Sequence, residues 1–424
     1  MENWDIIIIG AGAAGMLSAI SASREKLDIL VLERNEKAGK KILITGKGRC
    51  NITNMKSWNE FSLHIHPSPR LLKPAFFTFT NQDTRDFFES LGLNTVVERG
   101  TRLFPVSGKS SDVVESLTKC LTQNGTTIKF NSRVTEIKTQ GQNITSISWN
   151  KKGIKKSAGC KALIIATGGL SYPSTGSDGD GYNFAKALGH TISPLFPSLT
   201  ALMPRNYDIR LKGLLLKNIG ISLLLSGVDV QNDTGEVEFT DAGIEGSLGY
   251  RVSRKAVRAI INGEKVSVVF DLKPALTVDQ ILNRAEREQK AGNCRNIAQL
   301  LGLLLPSRLV IPFAEHSKLK PDGRIDNRES LALLASALKK WTFEIKDFRS
   351  YDRAVITAGG INTGEVSAKN MKSRLFDNLF FAGEILDLDG DTGGYNLQIA
   401  FSTGYLAGRE AAHLINTSNS AEVK

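Results

Sequence analysis

Trp4-Asp5-Ile6-Ile7-Ile8-Ile9-Gly10-Ala11-Gly12-Ala13-Ala14-Gly15 opens the chain with a short β-branched run that breaks into three spaced glycines. The run suits a strand buried on both faces, and the stretch from Ala13 to Ser23 suits a helix that follows it. Leu27 to Leu32 reads as the next parallel strand, and Glu33 closes it eighteen residues after Gly15. The whole is one βαβ unit. In such a unit Gly10 permits the tight turn, Gly12 lets backbone approach a pyrophosphate, and Gly15 lets helix pack closely on strand. Unpaired N–H groups and the positive end of the helix dipole then favour the phosphates, with Ala13 and Ala14 in the first turn, while Glu33 can accept hydrogen bonds from ribose hydroxyls. Three glycines alone are a weak signal; with strand, helix and spaced acid around them they predict a dinucleotide site.

The totals limit what surrounds this unit. A chain of 424 residues, 41% hydrophobic and 23% charged, can bury a sizeable core in two or three domains. The apolar run Ile6–Ile9 is far too short for a signal h-region or a membrane span, so a cytoplasmic protein without a membrane partner is expected. Cys50, Cys120, Cys160 and Cys294 form no C-x-x-C pair, which argues against a disulfide framework and a dithiol redox centre. The five histidines, His64, His66, His190, His316 and His413, show no zinc-ligand spacing, so no metal is expected. The net charge of +11 is uneven: residues 1–190 carry 25 Lys and Arg against 16 Asp and Glu, residues 191–351 carry 23 against 18, and residues 352–424 carry 6 against 9. A positive field of this kind attracts nucleic acid or an anionic cofactor, or simply keeps a protein in solution. No signal for an oligomeric state is present.

Past the βαβ unit, 83–91 and 110–123 read as helices, the second with Ser110 or Ser111 available as a cap. Thr127–Phe130, Val134–Lys138 and Ile144–Trp149 alternate as a small antiparallel sheet, and Ala162 to Ala166 returns as a buried strand. The texture changes over 191–351, where prolines at 194, 197 and 204 precede strand-like 219–230 and 266–271, then helix-like 278–290, 297–305 and 328–340. After it, Ala354–Thr357 and Leu379–Ala382 look like strands of the first domain, and Leu397–Ile415 like its closing helix. The expected architecture is therefore α/β. Residues 1–190 and 352–424 form a discontinuous dinucleotide-binding domain with a parallel sheet, interrupted by 191–351, β-rich over 191–275 and helical over 276–351.

The nucleotide is open between FAD and NAD at the glycine turn and narrows further along. Asn378-Leu379-Phe380-Phe381-Ala382-Gly383-Glu384 resembles the late strand and turn of two-dinucleotide-binding flavoproteins, whose acidic residue lies near the FAD pyrophosphate or ribitol. Gly393-Gly394-Tyr395-Asn396 then precedes the last helix, whose N-terminus, starting near Leu397, could stabilise a reduced flavin at its N1–C2=O edge. No second strand-glycine-helix unit is present for a nicotinamide cofactor, so NADH or NADPH would visit a non-covalently bound FAD transiently as reductant.

Four long motifs in order give the chain a specific resemblance. They are Gly39 to Asn54 (Gly39-Lys40-Lys41-Ile42-Leu43-Ile44-Thr45-Gly46-Lys47-Gly48-Arg49-Cys50-Asn51-Ile52-Thr53-Asn54), Ala166-Thr167-Gly168-Gly169-Leu170-Ser171-Tyr172-Pro173 with Thr175 to Tyr182, Thr357-Ala358-Gly359-Gly360, and the terminal motif above. Over nearly its whole length the chain resembles the BaiN/RdsA family of NAD(P)/FAD-dependent oxidoreductases, which includes ribosomal RNA dihydrouridine synthases and aminoacetone oxidase-like flavoproteins. The resemblance implies a two-dinucleotide-binding-type FAD domain, with substrate bound over the flavin between it and the insertion. FAD contacts are expected at Gly10, Gly12, Ala13, Ala14, Gly15, Glu33, Arg34, Lys41, Gly46, Gly48, Arg49, Cys50, Asn51, Val134, Ala166, Thr167, Gly168, Gly169, Gly383, Glu384, Gly394, Tyr395, Asn396 and Leu397. Small residues over 46–54 let backbone approach the cofactor while Lys47, Arg49 and Asn51 offer donors; a solvated basic loop is the other reading.

One branch of the family implies an RNA-modifying reductase acting on ribosomal RNA or a ribosome precursor, with hydride added to one carbon of the uracil C5=C6 bond and a proton to the other. Cys50 is the candidate proton donor, against a buried cysteine that merely packs its loop. Arg251, Arg254, Lys255 and Arg258, spaced to share one helix face, could track phosphates or be an ordinary solvated face. The alternatives are a small-molecule flavoenzyme, either a reductase of activated C=C bonds or an amine oxidase, and a flavin-containing RNA-binding or assembly factor. One departure bears on which family activity transfers if its loop faces substrate, and leaves FAD binding untouched: where many relatives carry a His after Phe-Thr and then Ser-Gly-Pro, this chain has Phe239-Thr240-Asp241-Ala242-Gly243-Ile244-Glu245-Gly246-Ser247.

Overall fold

The computed structural model describes residues 2–325 and 328–422, with side chains through 418. It forms two compact units, Met1–Phe196 with Val355–Lys424, and Pro197–Ala354.

The first unit is built on a seven-stranded sheet in the order Thr127–Lys129, Ile29–Leu32, Glu2–Ile9, Ile154–Ile165, Asn143–Lys151, Ser132–Gln140, with Leu379–Phe381 paired beside Ile154–Ile165. Strand Glu2–Ile9 lies parallel to both neighbours, and Ile6, Ile7 and Ile8 are wholly buried, as a β-branched run covered on both faces must be. The twelve-residue strand Ile154–Ile165 divides its other edge. Its first half pairs antiparallel with Asn143–Lys151 and its last three residues pair parallel with Leu379–Phe381.

Several expectations change at this level. Thr127–Lys129 is not part of the antiparallel sheet; it pairs parallel with Ile29–Leu32, because its few residues extend the parallel edge before the chain turns at Asn131, which has positive φ. The strand expected from Ala162 starts at Ile154, since the polar half of the strand faces outward and does not look buried in sequence. Ser110 does not cap its helix: its hydroxyl donates to Leu43 O at 2.7 Å, and Ser111 bonds to Asp112 instead. Ile356–Ile361 pairs with Ile192–Ser198 in a separate two-stranded sheet and does not join the main one.

The closing helix, Tyr395–Glu422, packs along Ala13–Ala22. Gly404 and Gly408 make this possible: a Cβ on either would strike backbone of Ala14 or Ser18 well inside van der Waals contact.

The second unit is a closed antiparallel barrel in the order Leu202–Pro204, Gly243–Glu245, Val228–Thr240, Leu214–Leu225, Val266–Asp271, Trp341–Phe348. Phe239, Phe270, Trp341 and Phe343 fill it with ring centroids 4.6–6.3 Å apart. The stretch read as one strand over 219–230 is a hairpin turning at Ser226 and Gly227, both with positive φ. The stretch 276–351, read as helical, holds four helices and then Trp341–Phe348, the strand that closes the barrel. In the divergent segment, Phe239 lies inside the barrel, Gly243–Glu245 is a barrel strand, and Gly246 starts a helix.

Candidate functional site

The turn after the first strand has the shape a phosphate cradle needs. Gly10 has φ +101°, and a Cβ there would sit 2.6 Å from Ala166 O. A Cβ on Gly15 would strike Gly10 O, so the helix can lie against the turn only with hydrogen at that position. Gly12 differs from both, because a Cβ there would meet nothing within 4 Å. Two glycines are needed by the fold and the third borders open space at the start of Ala13–Ala22, where the first-turn N–H groups have no helical partner.

Glu33, nearly buried, accepts from Ala11 N–H through Oε2 and from Asn35 through Oε1, all at 2.8 Å. A carboxylate has about four acceptor positions, so it retains capacity toward ribose hydroxyls. Arg34 is held by Asp178 and by Asp180 at 3.3 Å, and Arg133 shares both acids. Val134 is buried in the strand Ser132–Gln140, beside Trp149.

A second group gathers around Glu384, in the turn after Leu379–Phe381. Its Oε2 accepts from Lys41 Nζ at 2.8 Å, and its Oε1 from Ser171 Oγ at 2.9 Å and Thr357 N–H at 3.0 Å. Thr357 Oγ1 in turn accepts the N–H groups of Leu170 and Ser171 at 2.8 and 3.1 Å. Four separate motifs, around 41, 168–171, 357 and 384, thus meet at one carboxylate. Gly168 and Gly169 fit because a Cβ would press on Ser177 Oγ at 2.8 Å and Thr357 Oγ1 at 2.5 Å. Gly383 is fixed similarly, 2.7 Å from Ala14 Cβ were it to carry a Cβ of its own. Beside them, Thr167 Oγ1 is buried without a hydrogen-bond partner among the described residues.

The third group joins the loop 46–54 to the last helix. Gly46, Lys47, Gly48 and Cys50 all have positive φ, a tight coil that turns the chain back under itself. At its end Thr53–Asn54 reaches Gly394, where a Cβ would lie 2.6 Å from Thr53 O and 2.9 Å from Asn51 Oδ1. Asn51 Oδ1 and Thr53 Oγ1 are buried without partners among the described residues. Asn396 clamps the helix start by accepting Gly390 N–H and donating to Gly390 O, both at 2.7 Å. Tyr395 is buried, and Leu397 packs half-buried on the core. Arg49 pairs with Glu98 and lies 4.5 Å over the Phe104 ring.

Cys50 does not join a reactive surface. Its side chain is 0% exposed within the core, and burial pushes the thiol up to about 12 against a small opposing effect of its hydrogen bond with Thr45. This burial favours the other reading of Cys50, a cysteine that packs its loop, over the proton donor. Iodoacetamide applied to the folded protein at pH 8 should leave Cys50 unmodified, and Cys50→Ala should retain turnover within about twofold; a labelled Cys50 or a large loss of turnover would restore the catalytic reading.

The structure adds one group that sequence spacing could not show. His64 and His66 both bond Asp391, more than 300 residues away, and Lys56 bonds His64. Among the described residues no set of three His, Cys, Asp or Glu side chains is placed to hold a metal ion, and no helix is long and apolar enough to cross a membrane.

Comparison with known proteins gives a consistent picture. Residues 4–410 match the model of the HI0933-like protein Rossmann domain. The 3-dehydro-bile acid delta(4,6)-reductase of Clostridium scindens is 32% identical over 96% of this chain and 98% of its own length. The ribosomal RNA dihydrouridine synthase of Escherichia coli is 29% identical over 97% and 98%. Among solved structures, 3-ketosteroid delta1-dehydrogenase of Sterolibacterium denitrificans shares the fold at a TM-score of 0.54 and 12% identity, covering 97% of this chain and all of that one.

Proposed function

Because the chain belongs to the HI0933-like family and is an FAD-dependent oxidoreductase of it, we propose that it reduces a carbon–carbon double bond conjugated to a carbonyl. The observation that carries the reading is the cradle in the first unit: open space at Gly12, acceptor capacity at Glu33, and unpartnered buried oxygens on Asn51, Thr53 and Thr167. These suit FAD, whose pyrophosphate would lie over Gly12 and the first turn of Ala13–Ala22, with Glu33 toward the ribose. When bound and reduced, the flavin supplies hydride. Lys41, Glu384, Ser171 and Thr357 keep the turns around it fixed, and the N-terminus of Tyr395–Glu422 offers its positive end.

The names of both relatives describe that chemistry. A dihydrouridine synthase saturates the uracil C5=C6 bond, which is conjugated to a carbonyl, and a 3-dehydro delta(4,6)-reductase acts on double bonds in conjugation with a 3-oxo group. We place uracil in large-subunit ribosomal RNA first, supported by the net charge of +11 and by the dihydrouridine synthases. NADH or NADPH would reduce the flavin as a visiting donor. A small unsaturated carbonyl compound is the second reading, and the state of the basic helix face favours it. Arg251 is paired with Asp233 at 2.8 Å and Arg254 is also engaged, which leaves Lys255, donating to Val230 O at 3.3 Å, and Arg258 as the exposed cations of the four.

Bulk dihydrouridine in ribosomal RNA from a deletion strain should fall relative to its parent, and expression of the wild-type gene should restore it. Unchanged content would reject the RNA reading. Anaerobic reduction of the purified protein by NADH or NADPH, followed by reoxidation with a cyclic enone, would then carry the small-molecule one.

A further inference from the structure

Asp391 lies two residues before Gly393-Gly394, which precede the last helix, and it organises a hydrogen-bonded chain of four side chains. Lys56 Nζ lies 2.9 Å from His64 Nε2; His64 Nδ1 lies 2.8 Å from Asp391 Oδ2; Asp391 Oδ1 lies 3.1 Å from His66 Nε2. Backbone fixes the geometry. His66 and Asp389 pair across a two-residue ladder, Asp391 N–H donates to His64 O at 2.9 Å, and the Tyr395 ring stacks on His64 with centroids 4.5 Å apart.

Elementary donor and acceptor rules order the protons along this chain. A lysine ammonium can only donate, so His64 Nε2 must accept and its proton sits on Nδ1, directed at Asp391. Burial alone would raise the Asp391 carboxyl, but hydrogen bonds from both imidazoles and their charge prevail and draw it down to about 2, so it is an anion throughout the neutral range. Both ring nitrogens of His64 are thereby engaged, one by Lys56 and one by Asp391. His66 has no cation opposite it. Its Nε2–H points at the Asp391 anion, and its Nδ1 has no partner among the described residues, with the side chain 30% exposed. The groups facing His66 are Asp391 directly, His64 and Lys56 through Asp391, and Asp389 from the paired strand.

We infer that His66 is the proton donor for the reduced double bond, with Asp391 and His64 as residues that position and charge it. This rests on the double-bond reduction proposed above. In the step, one alkene carbon receives hydride from the reduced flavin, the other receives the proton from His66 Nδ1, and the C=C π bond is lost as two C–H bonds form. The flavin gives up two electrons that NADH or NADPH has supplied, and neutral His66 recovers its proton from solvent. Cys50, sealed in the core, is not required.

The test uses the FAD-loaded protein, reduced anaerobically and then mixed either with an unsaturated acceptor (a cyclic enone or uridine-containing ribosomal RNA) or with ferricyanide, whose reduction moves no proton to carbon. His66→Gln should retain flavin and its reoxidation by ferricyanide, while reoxidation by the unsaturated acceptor slows about 100-fold or more, the contribution of a placed general acid. Asp391→Asn should keep part of that rate and shift its pH profile, as expected of a positioning residue. Independently of turnover, ring-nitrogen NMR on the loaded protein should find His64 locked with its proton on Nδ1 while His66 gains a second proton as pH falls. Wild-type protein that no unsaturated acceptor reoxidises would reject the double-bond reading and this assignment with it. Wild-type turnover matched by His66→Gln, or a second proton appearing on His64 in place of His66, would overturn the assignment alone.

Discussion

Gly12→Val is expected to give a protein that folds normally and purifies without flavin. Gly12 has φ −83° and ψ −170°, extended backbone that any residue adopts, and a Cβ there meets nothing within 4 Å. A valine side chain therefore adds no clash to the apoprotein, and its melting temperature should stay close to that of wild-type apoprotein. The same side chain would fill the space over the first-turn N–H groups that a pyrophosphate must approach. FAD affinity should fall at least about 100-fold, about 2.7 kcal/mol, read as flavin absorbance per protein and by titration of apoprotein. Gly15→Ala makes the control, because its Cβ would strike Gly10 O and cannot be relieved by a side-chain rotation. That variant should lose stability and flavin together. A Gly12→Val protein that retains stoichiometric FAD would remove the cradle from this turn.

The contrast between these glycines also shows how far the sequence could be read. Their spacing, with the preceding isoleucines and Glu33, is local, and local periodicity is enough to predict a βαβ unit. It does not separate the glycines that the fold needs from the one that borders open space, because that distinction depends on Ala166, which arrives from another strand. The Glu384 group was visible as four motifs but not as a meeting point, since Lys41 and Glu384 are brought together only by the sheet order. His64, His66 and Asp391 give no signal in the sequence: two histidines flanking Ile65, one ending a short turn and one on the strand Ile65–His66, look like ordinary exposed residues until the ladder with Asp389–Gly390 sets the carboxylate between them. The strand that closes the barrel is hard to read because Trp341–Phe348 alternates apolar and polar residues only as far as Lys346, directly after a helix. The burial of Cys50 is illegible for a related reason, since a motif near a cofactor says nothing about which way each side chain points.

Glu384→Ala should destabilise the protein by about 3 kcal/mol, as expected when one partner of a largely buried ion pair is removed. The Glu384 side chain is 12% exposed and that of Lys41 24%, so neither group is rescued fully by water. Removing the carboxylate leaves the Lys41 ammonium without its anion and the Thr357 N–H without its acceptor, and it withdraws one of the bonds that hold Ser171. Glu384→Gln should cost less, because an amide oxygen can still accept from Ser171 and Thr357 while only the charge toward Lys41 is lost. A double-mutant cycle with Lys41→Met separates the two contributions: Glu384→Gln and Lys41→Met should couple by about 1–2 kcal/mol in urea unfolding of the apoprotein. Flavin retention should fall in Glu384→Ala beyond what stability explains, because Gly168 and Gly169 are set against Ser177 and Thr357, and Thr357 itself is oriented by this carboxylate. Additive single mutants would show that the charge pair does not act as a unit, and that the hydrogen bonds to Thr357 and Ser171 alone fix the turn.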